Sequence, residues 1–122
     1  DLVTTMDVFR TLAEWGGAEA KTGIDGRNLK GGGQRDELFF HYPHYYPTTT
    51  PVSAVRQGDW KLVEYYEDGR RELYELRGDL GETRDLAARE PERVARLARR
   101  LEEWRREVKA PMPQANPGYR GV

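Results

Sequence analysis

Residues 52–76, VSAVRQGDWKLVEYYEDGRRELYEL, decide the fold. Runs of β-branched, aromatic and other apolar residues alternate there with two turn signals, Gln57-Gly58-Asp59 and Glu67-Asp68-Gly69. An Asp-Gly pair between such runs is among the strongest short-range signals of a β-hairpin. The sequence therefore predicts an antiparallel meander of three strands, over residues 52–56, 60–66 and 71–76.

Apolar side chains lie on both faces of the middle strand of this meander. In an extended chain Trp60 and Leu62 point to one face, whereas Val63 and Tyr65 point to the other. A strand with that pattern is typical of a sheet that is covered on both sides. We therefore expect a packing partner for each face, and the sequence supplies an obvious one for only one of them.

That partner is a predicted helix near the end of the chain. Pro91 suits the first helical turn, and apolar residues then recur at intervals of three and four, which places them on one stripe. The opposite face pairs arginines with acidic residues four positions away, so we interpret it as a solvated face rather than a nucleic-acid patch. The stripe consists of Val94, Leu97, Leu101, Trp104 and Val108.

A second, shorter helix is predicted at residues 6–15, with Thr4 or Thr5 as its N-cap and Gly16-Gly17 as its stop. Its apolar face must pack on something, because so short a helix has little stability alone. Residues 16–36 hold seven glycines. They lack the Gly-Lys-Ser/Thr ending of a phosphate loop, so we interpret them as a flexible connector.

A fourth strand is predicted between this connector and the meander. Glu37–Tyr42 is rich in aromatic residues, and it ends at Pro43, which cannot donate a hydrogen bond to a sheet. We expect residues 1–34 to hold the short helix and the connector. Residues 35–122 are expected to hold the sheet, the closing helix and an extended tail.

Composition excludes several classes of protein. The 20 basic and 21 acidic residues give a formal charge of -1, so no global field attracts nucleic acid or an anionic membrane. No apolar run approaches the roughly 20 residues that span a bilayer. The chain has no cysteine, which excludes disulfides, thiolate zinc sites and a cysteine nucleophile within it. We expect neither nucleic acid nor a membrane as a partner.

The two histidines, His41 and His44, form the first candidate site. They lie three positions apart in an aromatic run that two prolines stiffen. Imidazoles in such a place can hydrogen-bond an anionic or sugar ligand, whereas a metal site needs more ligands. The alternative is that one histidine is a hydrogen-bonded loop residue and the rings are ordinary core. Aromatic density favours a sugar-facing pocket edge, with Tyr42 and Tyr45 as stacking residues.

No other segment has the pattern of an active site. Ser53 has no histidine beside it in the sequence, and the chain has no Gly-x-Ser-x-Gly motif. Asp79, Glu82 and Asp85 invite comparison with a calcium site, but their spacing does not match the EF-hand pattern. We therefore expect them to form turns and helix caps. We expect no catalytic residue and no metal ligand in this chain.

Several motifs in a fixed order resemble the carboxyl-terminal part of type I sulfatases. In that family a "vR.GdWKLi" hairpin leads into "eLYnL..DpgE..NLa" and a closing helix. The matching stretches here are SAVRQGDWKLV at 53–63, ELYEL at 72–76 and DLGETRDLA at 79–87. Residues 6–14, 23–29 and 38–45 resemble further family segments in the same order. The loop at residues 46–51 and the stretch Lys30–Gln34 depart from the family pattern.

The resemblance implies an α+β fold, with a small antiparallel sheet of about four strands packed against a carboxyl-terminal helix. Such a subdomain belongs to an alkaline-phosphatase-like enzyme and packs on a large catalytic domain. His41 and His44 match the family's strand-end position that can reach the rim of a sugar substrate. Arg56 and Lys61 belong to the hairpin signature, where a structural hydrogen bond is expected rather than substrate contact.

The family's catalytic machinery is a formylglycine, made in a Cys/Ser-x-Pro-x-Arg motif, beside a calcium ion. This chain lacks that motif, so the resemblance implies that formylglycine and calcium belong to a catalytic domain outside it. We expect the chain to be inactive alone, to scaffold the fold and to contribute the rim of the substrate pocket. The expected partners are that catalytic domain and a sulfated small molecule or glycan.

Two further expectations follow. An uncovered sheet face would allow self-association, and members of the family are often exported or periplasmic. The alternative function is a stand-alone, non-catalytic module, derived from such a subdomain, that binds glycans or proteins.

Overall fold

The computed structural model describes residues 2–20, 22–31 and 35–118. Four strands form one antiparallel sheet in the order β1-β2-β3-β4, and two helices accompany it, which confirms the predicted α+β fold. The elements are α1 (Met6–Trp15), β1 (Glu37–Tyr42), β2 (Val52–Gln57), β3 (Trp60–Tyr65), β4 (Arg71–Glu75) and α2 (Pro91–Glu107).

The chain divides into two compact units, Asp1–Leu38 and Phe39–Val122. The predicted boundary after residue 34 stays a prediction. Some residues of the predicted connector and tail, at positions 21, 32–34 and 119–122, lie outside the described residues.

Two tight hairpins set the register of the meander. Gln57 pairs with Trp60 at the first turn, and Glu64 pairs with Arg71 beside the second. In the second turn Gly69 has a φ of 68°, a left-handed conformation that a side chain disfavours. The Asp68-Gly69 pair therefore marks this turn because glycine readily adopts the positive φ that the turn requires. Arg56 Nε donates to the Gly58 carbonyl oxygen over 3.1 Å, which confirms its predicted structural hydrogen bond.

One face of the sheet packs against α2 and forms the main core. Val55, Leu62 and Leu73 of the sheet are fully buried there, as are two leucines of the helix, Leu97 and Leu101. Around this centre the Phe39 and Trp104 rings stack in parallel with centroids 4.9 Å apart. The predicted stripe therefore faces the sheet, except that Val108 lies beyond the helix end and is exposed.

The opposite face is not bare at its centre. Ala54, Val63 and Tyr74 are buried in a second cluster, so the expectation of an uncovered face is wrong there. At one edge of this region the Lys61 ammonium bonds both carboxylate oxygens of Glu82 over 2.6 and 2.8 Å, which confirms its predicted structural role. On β1 the same face leaves Phe40 exposed. Self-association through this face stays a prediction.

The first unit is organised by a buried carboxylate. Asp7 accepts the Thr4 and Arg27 backbone N–H groups over 2.7 and 2.8 Å, and both terminal nitrogens of Arg35 also bond it. The hydrogen bond from Arg35 is the main cause that holds the pKa of Asp7 well below its ordinary range, although burial opposes the charge. Asp7 therefore joins the start of α1 to Arg27 and Arg35 of the chain that follows it.

The polar side of α1 also binds the chain that follows it. Thr11 Oγ1 accepts the Leu29 backbone N–H over 3.1 Å, and the Asn28 side-chain amide bonds the Glu14 carboxylate. A Cβ on Gly26 would lie 2.3 Å from the Met6 carbonyl oxygen, so only glycine fits this close approach. The prediction of a flexible connector is wrong for residues 26–29, which lie bonded against the helix.

The apolar side of α1 is exposed instead. Its large apolar residues, with Val3 just before the helix, are each between 48 and 60% exposed. The helix thus directs polar groups toward its own unit and apolar groups away from it, the reverse of the usual arrangement in a globular protein. The exposed residues are Val3, Met6, Val8, Phe9, Leu12 and Trp15.

Asp7→Asn should lower the free energy of unfolding by about 3 kcal/mol at pH 7, because it leaves the buried Arg35 guanidinium without its counter-charge. The folded-state pKa of Asp7 is depressed, so its contribution is present above the unfolded pKa of about 3.9 and is lost as pH falls below it. Urea unfolding of the full chain between pH 3 and pH 7 measures both effects.

Asp68→Asn is the matched control, because Asp68 pairs with Arg70 on an exposed surface. It should cost less than about 1 kcal/mol. Equal losses for the two variants would contradict the organising role of Asp7.

Candidate functional site

The end of β1 and the loop after it hold all four predicted site residues. The strand persists through Tyr42, and Pro43 ends it. The loop then closes on itself, because the backbone N–H groups of Tyr46 and Thr49 each donate to the other's carbonyl oxygen, over 3.0 and 3.1 Å. The long loop that departs from the family pattern therefore contains a tight turn around Pro47 and Thr48.

His41 lies on the α2 side of the sheet and is bonded at both ring nitrogens. Nε2 lies 2.9 Å from the Pro111 carbonyl oxygen, which can only accept, so Nε2 carries the proton. In the neutral ring the single lone pair of Nδ1 then accepts from one of the hydroxyls of Ser53 and Tyr66, which lie 2.9 and 2.8 Å away and also bond each other. His41 thus ties the segment after α2 to the sheet.

This histidine is the end of a longer polar network. The Tyr66 hydroxyl accepts from Arg105 of α2 over 3.3 Å, and Arg105 also donates to the Glu64 carboxylate over 2.7 Å. Arg71 donates to the other oxygen of Glu64 over 2.8 Å. Burial disfavours the charge on Glu64, but the two arginines outweigh it and lower the pKa of the carboxyl. These polar side chains form a layer beside the apolar core, between α2 and the sheet.

Tyr42 lies on the other face and belongs to an exposed group of rings. Its ring meets His44 edge-on at 5.6 Å and 82°, and it meets Tyr46 edge-on at 6.2 Å and 85°. We call these three residues the aromatic corner. Tyr42 is 40% exposed and Tyr46 is 60% exposed.

Tyr45 points elsewhere. Its hydroxyl donates to Glu67 over 2.5 Å, across to the turn between β3 and β4. The structure therefore groups Tyr42 with His44, whereas His41 and Tyr45 have partners of their own. Sequence reasoning missed Tyr46, although it lies in the same aromatic run. That His41, Tyr42, His44 and Tyr45 bind substrate stays a prediction.

Three arginines of α2 lie over aromatic rings. The guanidinium of Arg93 lies 4.0 Å from the Trp60 ring centroid, and that of Arg100 lies 4.9 Å from the Phe39 ring. Arg105 lies 5.6 Å from the Tyr66 ring. Such contacts are cation–π interactions that also cover apolar surface. The arginines of the predicted solvated face are others, and they are exposed as predicted: Arg96, Arg99 and Arg106.

Within the described residues, the acidic side chains of residues 79–85 and Ser53 have structural contacts. No group of three or more His, Cys, Asp or Glu side chains that could hold a metal occurs in the described ranges. Asp79 forms the predicted turn, since it accepts the Thr83 and Arg84 backbone N–H groups, which lower the pKa of its carboxyl. Ser53 does contact His41, but it is fully buried and cannot meet a substrate.

Neither helix of the described chain combines the length and the apolar character needed to cross a bilayer.

Comparison with known proteins shows which proteins this chain is similar to. No family model matches the chain. A sulfatase of Formosa agariphila is 36% identical over an alignment of 107 residues, which covers 73% of this chain and 19% of that protein. The chain is a homologue of part of a sulfatase, which confirms the predicted resemblance.

Solved structures have the same fold. A 2-O glycosaminoglycan sulfatase superposes with a TM-score of 0.74 and 22% identity, over 91% of this chain and 27% of its own. A protein solved with its substrate, D-glucosamine-2-N,6-O-disulfate, gives 0.67 and 24%, over 88% and 24%. A phosphonate monoester hydrolase from Silicibacter pomeroyi gives 0.58 and 24%, over 83% and 24%.

Coverage is partial in every case. The chain spans about a fifth of the Formosa sulfatase and about a quarter of each solved chain. This agrees with the prediction that the chain is one part of a larger protein.

Tyr66→Phe should lower the free energy of unfolding by about 1 to 3 kcal/mol, because His41, Ser53 and Arg105 lose a shared partner in a partly buried network. Tyr45→Phe removes an exposed hydroxyl that bonds Glu67 and should cost less than about 0.5 kcal/mol. Both values come from chemical denaturation of the full chain. A loss for Tyr66→Phe no larger than that of the control would contradict the network.

Proposed function

We propose that this chain is the carboxyl-terminal subdomain of an enzyme that hydrolyses sulfate esters of glycans. In that enzyme it scaffolds the fold and contributes the rim of the substrate pocket. The observation that carries the proposal is the 36% identity to a sulfatase, over an alignment that covers most of this chain but only a fifth of that protein.

The exposed side of α1 supports a larger parent protein. Phe9, Leu12 and Trp15 direct large apolar surfaces away from the unit whose polar groups the helix binds. Exposed clusters of this kind mark surfaces that another protein surface covers. We propose that the rest of the sulfatase chain is that cover. Such a helix face disfavours the alternative of a stand-alone module that binds only glycans.

The aromatic corner supports a glycan as the substrate. A sugar ring has an apolar C–H face and a polar rim, and the corner offers exposed rings together with hydroxyl and imidazole groups. One of the similar structures is named a 2-O glycosaminoglycan sulfatase. Another holds its substrate, a disulfated glucosamine. We propose that Tyr42 packs on a sugar ring and that His44 hydrogen-bonds a hydroxyl or sulfate oxygen.

His41 has a different place in the proposal. Its ring nitrogens already bond Pro111, Ser53 and Tyr66, which favours a positioning role at the end of β1 over direct contact with a substrate. It holds the strand that ends at Tyr42 and leads into the loop with His44.

The chemical step needs residues from outside this chain. The only serine is Ser53, which is not in a Ser-x-Pro-x-Arg motif, and the chain has no cysteine. The residues present do not fit the formylglycine and calcium that the resemblance implies, so no catalytic step is assigned to them. The fold alone also occurs in a phosphonate monoester hydrolase. The homology favours sulfate esters over phosphonates.

A polypeptide that contains this chain and an upstream Cys/Ser-x-Pro-x-Arg motif should release sulfate from a sulfated glucosamine. His44→Ala in it should raise KM about 3- to 10-fold with kcat nearly unchanged, since one hydrogen bond to bound substrate is lost. Steady-state sulfate release measures both constants.

Thr48→Ala, an exposed change in the same loop, is the control and should leave KM unchanged. A polypeptide that hydrolyses phosphonates but no sulfate ester would overturn the proposed reaction. Turnover by the 122-residue chain alone would overturn the subdomain assignment, and an unchanged KM for His44→Ala would remove His44 from the site.

A further inference from the structure

We infer that Tyr46, rather than the neighbouring Tyr45, completes the sugar-binding surface, and that the aromatic corner holds a pyranose ring against Tyr42 and Tyr46. This inference rests on the proposed function, because it names a further specificity-determining residue of the same site. It differs from the expectation drawn from the sequence, in which Tyr45 was the second stacking residue.

Most tyrosine hydroxyls in the described ranges bond another side chain of the protein. Tyr45, Tyr65, Tyr66 and Tyr74 each bond a side chain of the protein. Within the described ranges the hydroxyls of Tyr42 and Tyr46 have no such partner. The two histidines divide in the same way, since His41 is bonded at both nitrogens and the His44 ring has only its edge contact with Tyr42.

The shape of the aromatic corner also favours a sugar. His44 and Tyr46 both stand nearly at right angles to the Tyr42 ring. The three rings therefore make an angular surface, whose polar atoms are available to a ligand. A flat patch of rings would fit an apolar partner, whereas rings with unused donors and acceptors fit a ligand that is apolar on one face and polar around its edge.

Prolines and backbone hydrogen bonds fix the form of the loop that carries Tyr46. Pro43 and Pro47 each restrict their own φ angle. The two backbone hydrogen bonds between Tyr46 and Thr49 close the turn that carries the Tyr46 ring. Groups that are fixed before binding lose less conformational entropy on binding, which favours affinity.

The test uses the sulfatase polypeptide that contains this chain, with two substrates. Tyr46→Ala should raise KM for a sulfated glucosamine about tenfold and leave KM for a short alkyl sulfate unchanged, because only the first substrate has a sugar ring. Thr48→Ala is the control in the same loop and should change neither constant, whereas Tyr45→Ala should raise the first KM less than Tyr46→Ala does. Tyr46→Phe keeps the ring and should retain most of the affinity.

The possible outcomes separate this inference from the proposed function. A wild-type polypeptide that releases sulfate from neither substrate refutes the proposed function. An active wild type whose KM for the sulfated glucosamine is the same in Tyr46→Ala, or rises equally in Tyr45→Ala, refutes this inference alone. If Tyr46→Ala does not fold, Tyr46→Leu keeps the apolar volume without the aromatic face and should raise the same KM.

Discussion

Packing of α2 on the sheet is the interaction on which the second unit depends. Leu97 and Leu101 are fully buried against strands that contribute Leu62 and Leu73. Burial of four such side chains supplies several kcal/mol of the favourable free energy of folding. Beyond the apolar layer, Arg105 carries the same helix into the polar network that reaches His41. The end of β1, and with it the aromatic corner, is thus fixed from the opposite face of the sheet.

Periodic features of this fold could be predicted from the sequence, whereas the pairing of polar groups could not. Alternation and an Asp-Gly turn locate the strands, and spacing of three and four locates α2. Nothing local indicates that Arg35 bonds Asp7 or that Glu64 bonds Arg105, because those partners are 28 and 41 positions apart. The same limit explains why the contacts of arginines with aromatic rings could not be predicted from the sequence.

The candidate site likewise has one part whose orientation the sequence predicts and one part whose orientation it does not. His41 and Tyr42 lie in a strand, so their opposite orientations follow from alternation. After Pro43 the chain leaves the sheet and alternation no longer applies, so the sequence cannot tell whether Tyr45 or Tyr46 joins the Tyr42 ring. The contacts in the folded loop decide in favour of Tyr46. The resemblance points to this segment as the rim of a substrate pocket, which stays a prediction.

We propose that the chain is part of a larger sulfatase whose other segments cover α1. The most direct measurement is binding of a hydrophobic dye, with sedimentation, by the full chain and by a Phe9→Ser/Leu12→Ser variant. We expect the wild-type chain to bind dye and self-associate, and the variant to do both less, while Leu80→Ser on an exposed loop changes neither. A monomeric wild-type chain that binds no dye would contradict the claim.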